Sequence, residues 1–367
     1  MRGAYLFAPT DSNMLGSAAG VERKVKSQVK VLSKEFDCTL VSLPAPSYLG
    51  SLKERIVRRL PFTASWRKWS YRDEFDGLDF LYIRMVDHDD SFVRYLRKIK
   101  SSNPDIKIIY EIPTFPYGVD EKLTISNCSF YIKERLCRKK AAHYFDRIVT
   151  FYGQDSIWDV PCIKLMNGFD FGSVQLPKRE KPESINIISV STTAFWHGYD
   201  RFIEGLHEYY IHGGTENIQY HVVGNVLPKI SEMVHRYALE DHVILHGLLS
   251  GEELAEVYRL CLLGIDILGG HRRDYPISST LKSREYGAWG LPLITSSPVD
   301  YLPNDYPYQL LVPYDESPIQ INDVIRYYHS IYDEKTCDAV AKSIRDYSEK
   351  KCDMSVTMKP VIEFLRS

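Results

Sequence analysis

The chain has 367 residues, of which 44% are hydrophobic and 26% charged, with a formal net charge of −2. That is ample apolar material for two cored domains, and no window approaches the roughly 18 consecutive apolar residues of a membrane-spanning helix. The seven cysteines are odd in number and form no CxxC pair, which argues against a disulfide framework or a zinc site and fits the reduced thiols of a cytoplasmic protein.

In chain order, residues 3–8 read as a buried first strand, because the apolar run before Pro9 is too short for a signal peptide. Helical spacing of Val21, Val25, Val29, Leu32 and Phe36 follows, then strands over 38–43, 79–85 and 106–112, with a helix over 91–100. A long helical stretch covers 121–144, and a strand covers 147–151. The alternation then restarts with a strand at 185–190, a helix at 200–210 and a strand at 220–223. A helix to 239, a strand at 242–246, a helix through 260, a strand at 264–268 and terminal helices complete it. Apolar strands separated by helices predict parallel sheets covered on both faces. The polar, proline-bearing joint at 176–182 divides the chain into domains 1–178 and 179–345, with a helix over 346–367. Two doubly wound domains place ligands in a crevice at the carboxyl ends of their strands.

Charge differs between the halves. Residues 1–180 hold 29 Lys and Arg against 22 Asp and Glu, and residues 181–367 hold 17 against 26. The halves are thus expected to face different partners, while the lack of basic repeats speaks against nucleic acid. Residues 51–72 carry seven Lys and Arg against one Glu, interleaved with Leu60, Phe62, Trp66 and Trp69. Such a patch suits an anionic membrane surface.

The most informative stretch is STLKSREYGAWGLPLITS, 279–296. A helix starting near Thr280 has hydroxyl caps in Ser279 and Thr280 and no acid in its first turn. Its free N–H groups favour a phosphate, and Lys282 adds a point charge. Glu285, one turn deeper, is placed to accept hydrogen bonds from a ribose diol. A surface helix with a Lys/Glu pair, capped at Gly290, is the plainer alternative. In 87–90, DHDD, the acids are better explained as helix caps than as metal ligands.

LKSREYGAWGLPLI (281–294) resembles the nucleotide-binding segment of GT-B glycosyltransferases, especially family 4 and its bacterial polysaccharide branches. Other pieces occur in the expected order: AGVERKV (19–25), EIPTFPY (111–117), NGFD (167–170), FWHGYDRFIEGL (195–206), HVVGN (221–225) and GHRRDYPISSTLK (270–282). The resemblance spans nearly the whole chain. It implies two Rossmann-like domains facing across a cleft, with a C-terminal helix crossing back to the N-terminal domain. It implies a nucleotide-sugar donor, a glycan or lipid-linked acceptor, transfer with retention, no metal or other cofactor, and work in cell-surface polysaccharide synthesis at the cytoplasmic face of the membrane. By the resemblance, Glu285 grips the donor ribose. Donor contacts would come from Ser279, Thr280, Lys282, Arg284, Arg272, Arg273, Thr192, Trp196, His197, Gly198, Gly224 and Asn225. Ala19 and Gly20 stand for an acceptor-side glycine loop, and Glu111 and His271 are the catalytic candidates.

There are departures. A Glu common eight residues before the ribose-binding one is Ile277 here, and the usual diphosphate-binding Arg and Lys fall at Thr192 and His197. Arg272, Arg273, Lys282 and Arg284 are the nearby replacements, and His197 must be protonated or donate one N–H to help. These departures keep open a GT-B subunit that binds without turnover, and the same fold also leaves open a GT-B nucleotide-sugar epimerase.

Overall fold

The computed structural model describes residues 1–8, 15–42, 75–86, 88–115, 128–151 and 153–367, with only the backbone at 15–19, 128–131 and 133. The basic aromatic patch at 51–72, Asp87, residues 116–117 and the side chain of Ala19 therefore lie outside the described residues. The chain forms two compact units, Met1–Leu165 with Met358–Ser367, and Met166–Thr357. Among the described residues no helix is long and apolar enough to cross a membrane.

The first unit carries β1 (Arg2–Phe7), α1 (Leu15–Glu35), β2 (Asp37–Ser42), β3 (Phe80–Arg84), α2 (Asp90–Ser102) and β4 (Lys107–Ile112). These are followed by α3 (Cys128–Ala142), β5 (Arg147–Thr150), β6 (Ser156–Ile157) and β7 (Val160–Lys164). Its sheet runs β2-β1-β3-β4-β5-β7-β6. All neighbours are parallel except the short antiparallel β6–β7 pair, a hairpin the periodicity does not announce. Every residue of β3 is buried, as expected of a strand covered on both faces. Asp89 caps α2 by accepting from the backbone N–H of Ser91 and Phe92, and Asp90 lies in its first turn, so these two acids act as a helix start.

The second unit carries β8 (Ile185–Val190), α4 (Tyr199–Ile211), β9 (Ile218–Val223), α5 (Pro228–Arg236), β10 (Val243–Gly247) and α6 (Gly251–Leu260). Then come β11 (Leu263–Ile265), α7 (Leu281–Trp289), β12 (Leu293–Thr295), β13 (Gln309–Leu311), α8 (Ile321–Tyr332), α9 (Cys337–Cys352) and α10 (Met354–Thr357). The sheet order is β10-β9-β8-β11-β12-β13, parallel throughout. The chain winds outward from β8 in one direction and then returns to wind outward from β11 in the other. Where the direction reverses, the loops leaving the two central strands part, and their carboxyl ends form a crevice.

Two joints differ from the sequence expectation. Phe169 and Phe171 belong to the core of the second unit, so the division falls before residue 166, ahead of the proline-bearing joint. Helix α9 runs unbroken across residue 346, and the chain returns to the first unit only at Met358. There α11 (Lys359–Arg366) buries Val361, Ile362 and Leu365. Lys107 Nζ donates to the carbonyls of Phe364 and Leu365 at 3.1 and 3.0 Å, which satisfies the orphan acceptors at that helix's end.

Candidate functional site

The crevice between β8 and β11 is built from two loops that lock into each other. After β8 the chain makes one 3-10 turn, Phe195–His197, and enters α4 through Gly198. Gly198 has φ +69°, and a Cβ there would lie 2.4 Å from the backbone nitrogen of Gly269. Only glycine permits both the left-handed conformation and that approach. Next to it, the N–H of Leu268 donates to the His197 carbonyl at 2.8 Å. The loop after β9 joins in, since the Asn225 carbonyl accepts from the Thr193 N–H at 2.9 Å. Gly224 donates to the Gly247 carbonyl at 2.7 Å, and the Asn225 side chain is exposed.

Into this crevice α7 presents its first turn. Thr280 caps it, accepting from the Ser283 N–H at 3.2 Å. Lys282 turns inward and donates to the Asp266 carbonyl at 2.6 Å and to the Tyr199 hydroxyl at 3.1 Å. Asp266, just past β11, is wholly buried. Its carboxylate accepts from Ser278 Oγ and Thr280 Oγ1, both at 2.5 Å, and lies 3.9 Å from Lys282 Nζ. Sequence reasoning missed Asp266 and Tyr199. The visible signal for Asp266 was a carboxylate ending an otherwise apolar strand, CLLGID.

The four candidate cations separate. Arg284 is fully buried and donates to the carbonyls of Asn167 and Thr280, both at 3.1 Å, and pairs with Asp300. It pins α7 to the 167–170 segment, a structural task. Arg272 is met by two carboxylates, Asp200 at 2.8 Å and Glu316 at 2.5 Å. Its hydrogen bonds hold Glu316 down at a pKa of about 2. Arg273 is exposed and stacks its guanidinium 3.7 Å from the centre of the Trp196 ring. Lys282 alone of the four reaches the crevice floor at Asp266.

His197 Nδ1 accepts from the Ala194 N–H at 3.2 Å and meets Ser191 Oγ at 3.2 Å. Burial, and then the Lys282 charge, lower its pKa to about 2, outweighing a backbone hydrogen bond with Thr192. The imidazole is therefore neutral at physiological pH and contributes an N–H at most, not a cation. His271 Nε2 pairs with Glu316 at 2.8 Å, while its Nδ1 is buried without a hydrogen-bond partner. Ser279 accepts from Asn167 Nδ2 through its carbonyl at 2.7 Å. Glu285 sits partly buried on α7, one turn beyond Lys282. Ile277 is 58% exposed.

The remaining expected residues belong to the first unit. Ala19 and Gly20 lie within α1, so that segment is helix where a glycine loop was expected. Glu111 is fully buried. It accepts from Tyr82 at 2.6 Å and from Gln28 at 2.8 Å, pairs with Arg84, and lies 3.5 Å from Lys24 Nζ. Burial would raise its pKa, but Lys24, Arg84 and the two hydrogen bonds win and lower it to about 2. This is an enclosed ion cluster bridging β3, β4 and α1, with no exposed carboxylate for chemistry. No group of three or more His, Cys, Asp or Glu among the described residues is placed to hold a metal.

No family model matches the sequence, and no curated protein matches it. Solved structures do. An alpha-glucosyltransferase in complex with UDP-glucose and DNA containing an abasic site matches over 100% of both chains, with TM-score 0.64 at 13% identity. HepE from Anabaena in complex with UDP matches over 100% of both chains, with TM-score 0.59 at 12% identity. A glycosyltransferase from Rickettsia africae matches over 100% of this chain and 98% of its own, with TM-score 0.58 at 12% identity. The fold is thus the GT-B fold, two α/β units each built on a parallel sheet, as these glycosyltransferases have it.

Proposed function

We propose that this chain is a glycosyltransferase that takes a sugar from a nucleotide-sugar bound at the β8–β11 crevice of the second unit. The observation that carries this is Lys282, an ammonium held at the start of a hydroxyl-capped helix where the sheet reverses direction. Helix N–H groups and Lys282 would bind the diphosphate and stabilise the charge that develops on it as the sugar departs. Glu285, one turn on, would accept from the ribose hydroxyls. This charge stabilisation needs no metal, so turnover should survive a chelator. The resemblance to family 4 favours retention of anomeric configuration.

The acceptor in this reading is a glycan or lipid-linked glycan of a cell-surface polysaccharide, met at the cytoplasmic face of the membrane. The basic, aromatic composition of residues 51–72 supports it. Sedimentation with anionic vesicles across a salt series checks that arm, and salt-insensitive or absent binding removes it.

The decisive experiment is a thermal-shift panel of nucleotide-sugars, because a ligand that binds only the native state raises its melting temperature. Transfer and donor hydrolysis are then assayed with the hit. If no nucleotide-sugar shifts the transition, the donor assignment fails. Binding without any turnover would favour a second reading, a GT-B subunit that holds nucleotide-sugar without catalysis. The exposed Ile277 and the neutral His197 are the observations on that side.

A further inference from the structure

We infer that Asp266 is a positioning residue whose buried charge weakens the hold on the nucleoside diphosphate product relative to the nucleotide-sugar, so that the product leaves. The inference rests on the donor reading above. Its starting point is an unusual division of partners. The Asp266 carboxylate is wholly buried, and its close donors are neutral: Ser278 Oγ and Thr280 Oγ1, each at 2.5 Å. Lys282 Nζ stands off at 3.9 Å from that carboxylate. Its own close partners are also neutral oxygens, the Asp266 carbonyl at 2.6 Å and the Tyr199 hydroxyl at 3.1 Å.

The ammonium is therefore not consumed in a tight ion pair, yet the buried Asp266 carboxylate lies 3.9 Å from it. An anion at the α7 start would feel the attraction of Lys282 minus the repulsion of Asp266. That repulsion is poorly screened, because Asp266 is sealed from water. Transfer joins an acceptor hydroxyl oxygen to the anomeric carbon, the hydroxyl proton passing to water, and breaks the bond between that carbon and the distal phosphate oxygen, on which the bonding pair stays. The product thus carries about one more negative charge than the donor ester, the second phosphate pKa being near 6. A fixed buried carboxylate opposes the more highly charged species more strongly.

A purely structural Asp266 makes the opposite prediction. If its only task were to hold Thr280 and Ser278, replacing it would loosen the start of α7 and weaken every anion. The isosteric Asp266→Asn keeps the shape, and its amide can donate to one of the hydroxyls it formerly accepted from.

The test titrates the full chain and its Asp266→Asn variant with inorganic pyrophosphate, UDP, GDP, UDP-glucose and GDP-glucose by calorimetry. The expected result is roughly three- to tenfold tighter binding of pyrophosphate and the preferred diphosphate to the variant, with a smaller change for the sugar ester. Under turnover, product inhibition by the preferred diphosphate should strengthen by the same factor. Equal or weaker diphosphate binding by the variant, with the wild type binding normally, overturns the inference and leaves the donor reading standing. A wild type that binds none of the probes overturns both. Should Asp266→Asn fail to fold, Asp266→Ser serves: it also removes the buried charge, pyrophosphate should again bind several-fold more tightly, and unchanged or weaker binding overturns the inference.

Discussion

Lys282 donates a hydrogen bond to the Tyr199 hydroxyl at 3.1 Å, so the first turn of α7 is tied to the first turn of α4 across the point where the second sheet reverses direction. Two helix starts and one cation are thereby held in a single frame.

Replacing Lys282 by Met keeps the stem and removes the charge. Loss of one charge-assisted contact of about 1.5–3 kcal/mol should weaken nucleoside diphosphate binding roughly ten- to hundredfold. Calorimetry on the folded variant reads this directly. A change below about twofold would mean that Lys282 does not touch the diphosphate.

Gly198→Ala should slow turnover sharply without unfolding the chain. The new Cβ would sit 2.4 Å from the Gly269 nitrogen in a backbone at φ +69°, so the two loops of the crevice must part. A displacement near 1 Å in such a frame costs about a hundredfold in rate. Steady-state kinetics beside a far-UV circular dichroism spectrum separates this from global unfolding.

Stability should fall on acidification, beginning near pH 6.5. Burial and Lys282 hold the His197 pKa near 2, against an ordinary value of 6.5. Burial and then the neighbouring His246 lower that of His221 to about 4. Below 6.5 the unfolded chain binds protons that the folded chain refuses, so these groups stabilise the fold above that pH and lose their contribution below it. Each adds a slope of up to about 1.4 kcal/mol per pH unit. Denaturant titrations from pH 7 to 4.5 should show the slope, and His197→Gln should flatten it. Glu111, lowered from 4.5 to about 2, adds a further loss only below pH 4.5.

Glu111→Gln leaves Arg84 and Lys24 facing a neutral amide in a closed cluster. Breaking a buried ionic arrangement by removing one partner costs about 3–5 kcal/mol. Denaturant unfolding should show that loss, while nucleotide affinity of the folded protein stays within about twofold of wild type, a change under about 0.5 kcal/mol. A variant of normal stability that had lost turnover would return Glu111 to the catalytic candidates.

Phe364→Ala tests the returning helix. Its ring is faced by Arg147 at 4.7 Å and Lys107 at 5.2 Å, and removing it should destabilise the first unit by about 1–2 kcal/mol. Thermal unfolding is the measurement, and an unchanged transition would show that α11 docks by its aliphatic residues alone.

Much of this protein is legible in its linear order. Mainly apolar runs at 80–84, 107–112 and 185–190 announce buried parallel strands because a strand covered on both faces lacks the regular polar alternation of a half-exposed one. The start of α7 is equally visible, since a hydroxyl cap and a following Gly-Leu-Pro are local signals. What spacing does not convey is which charges meet. Arg272, Arg273, Lys282 and Arg284 look equivalent along the chain. The fold gives one to Asp200 and Glu316, stacks one on Trp196, seals one against Asp300, and brings one to Asp266. Glu111 reads as a strand-end carboxylate, and only the packing of α1 over β3 and β4 encloses it. The reason is physical: local patterning fixes which segments hide from water, whereas the state of a charge depends on partners that long-range packing delivers.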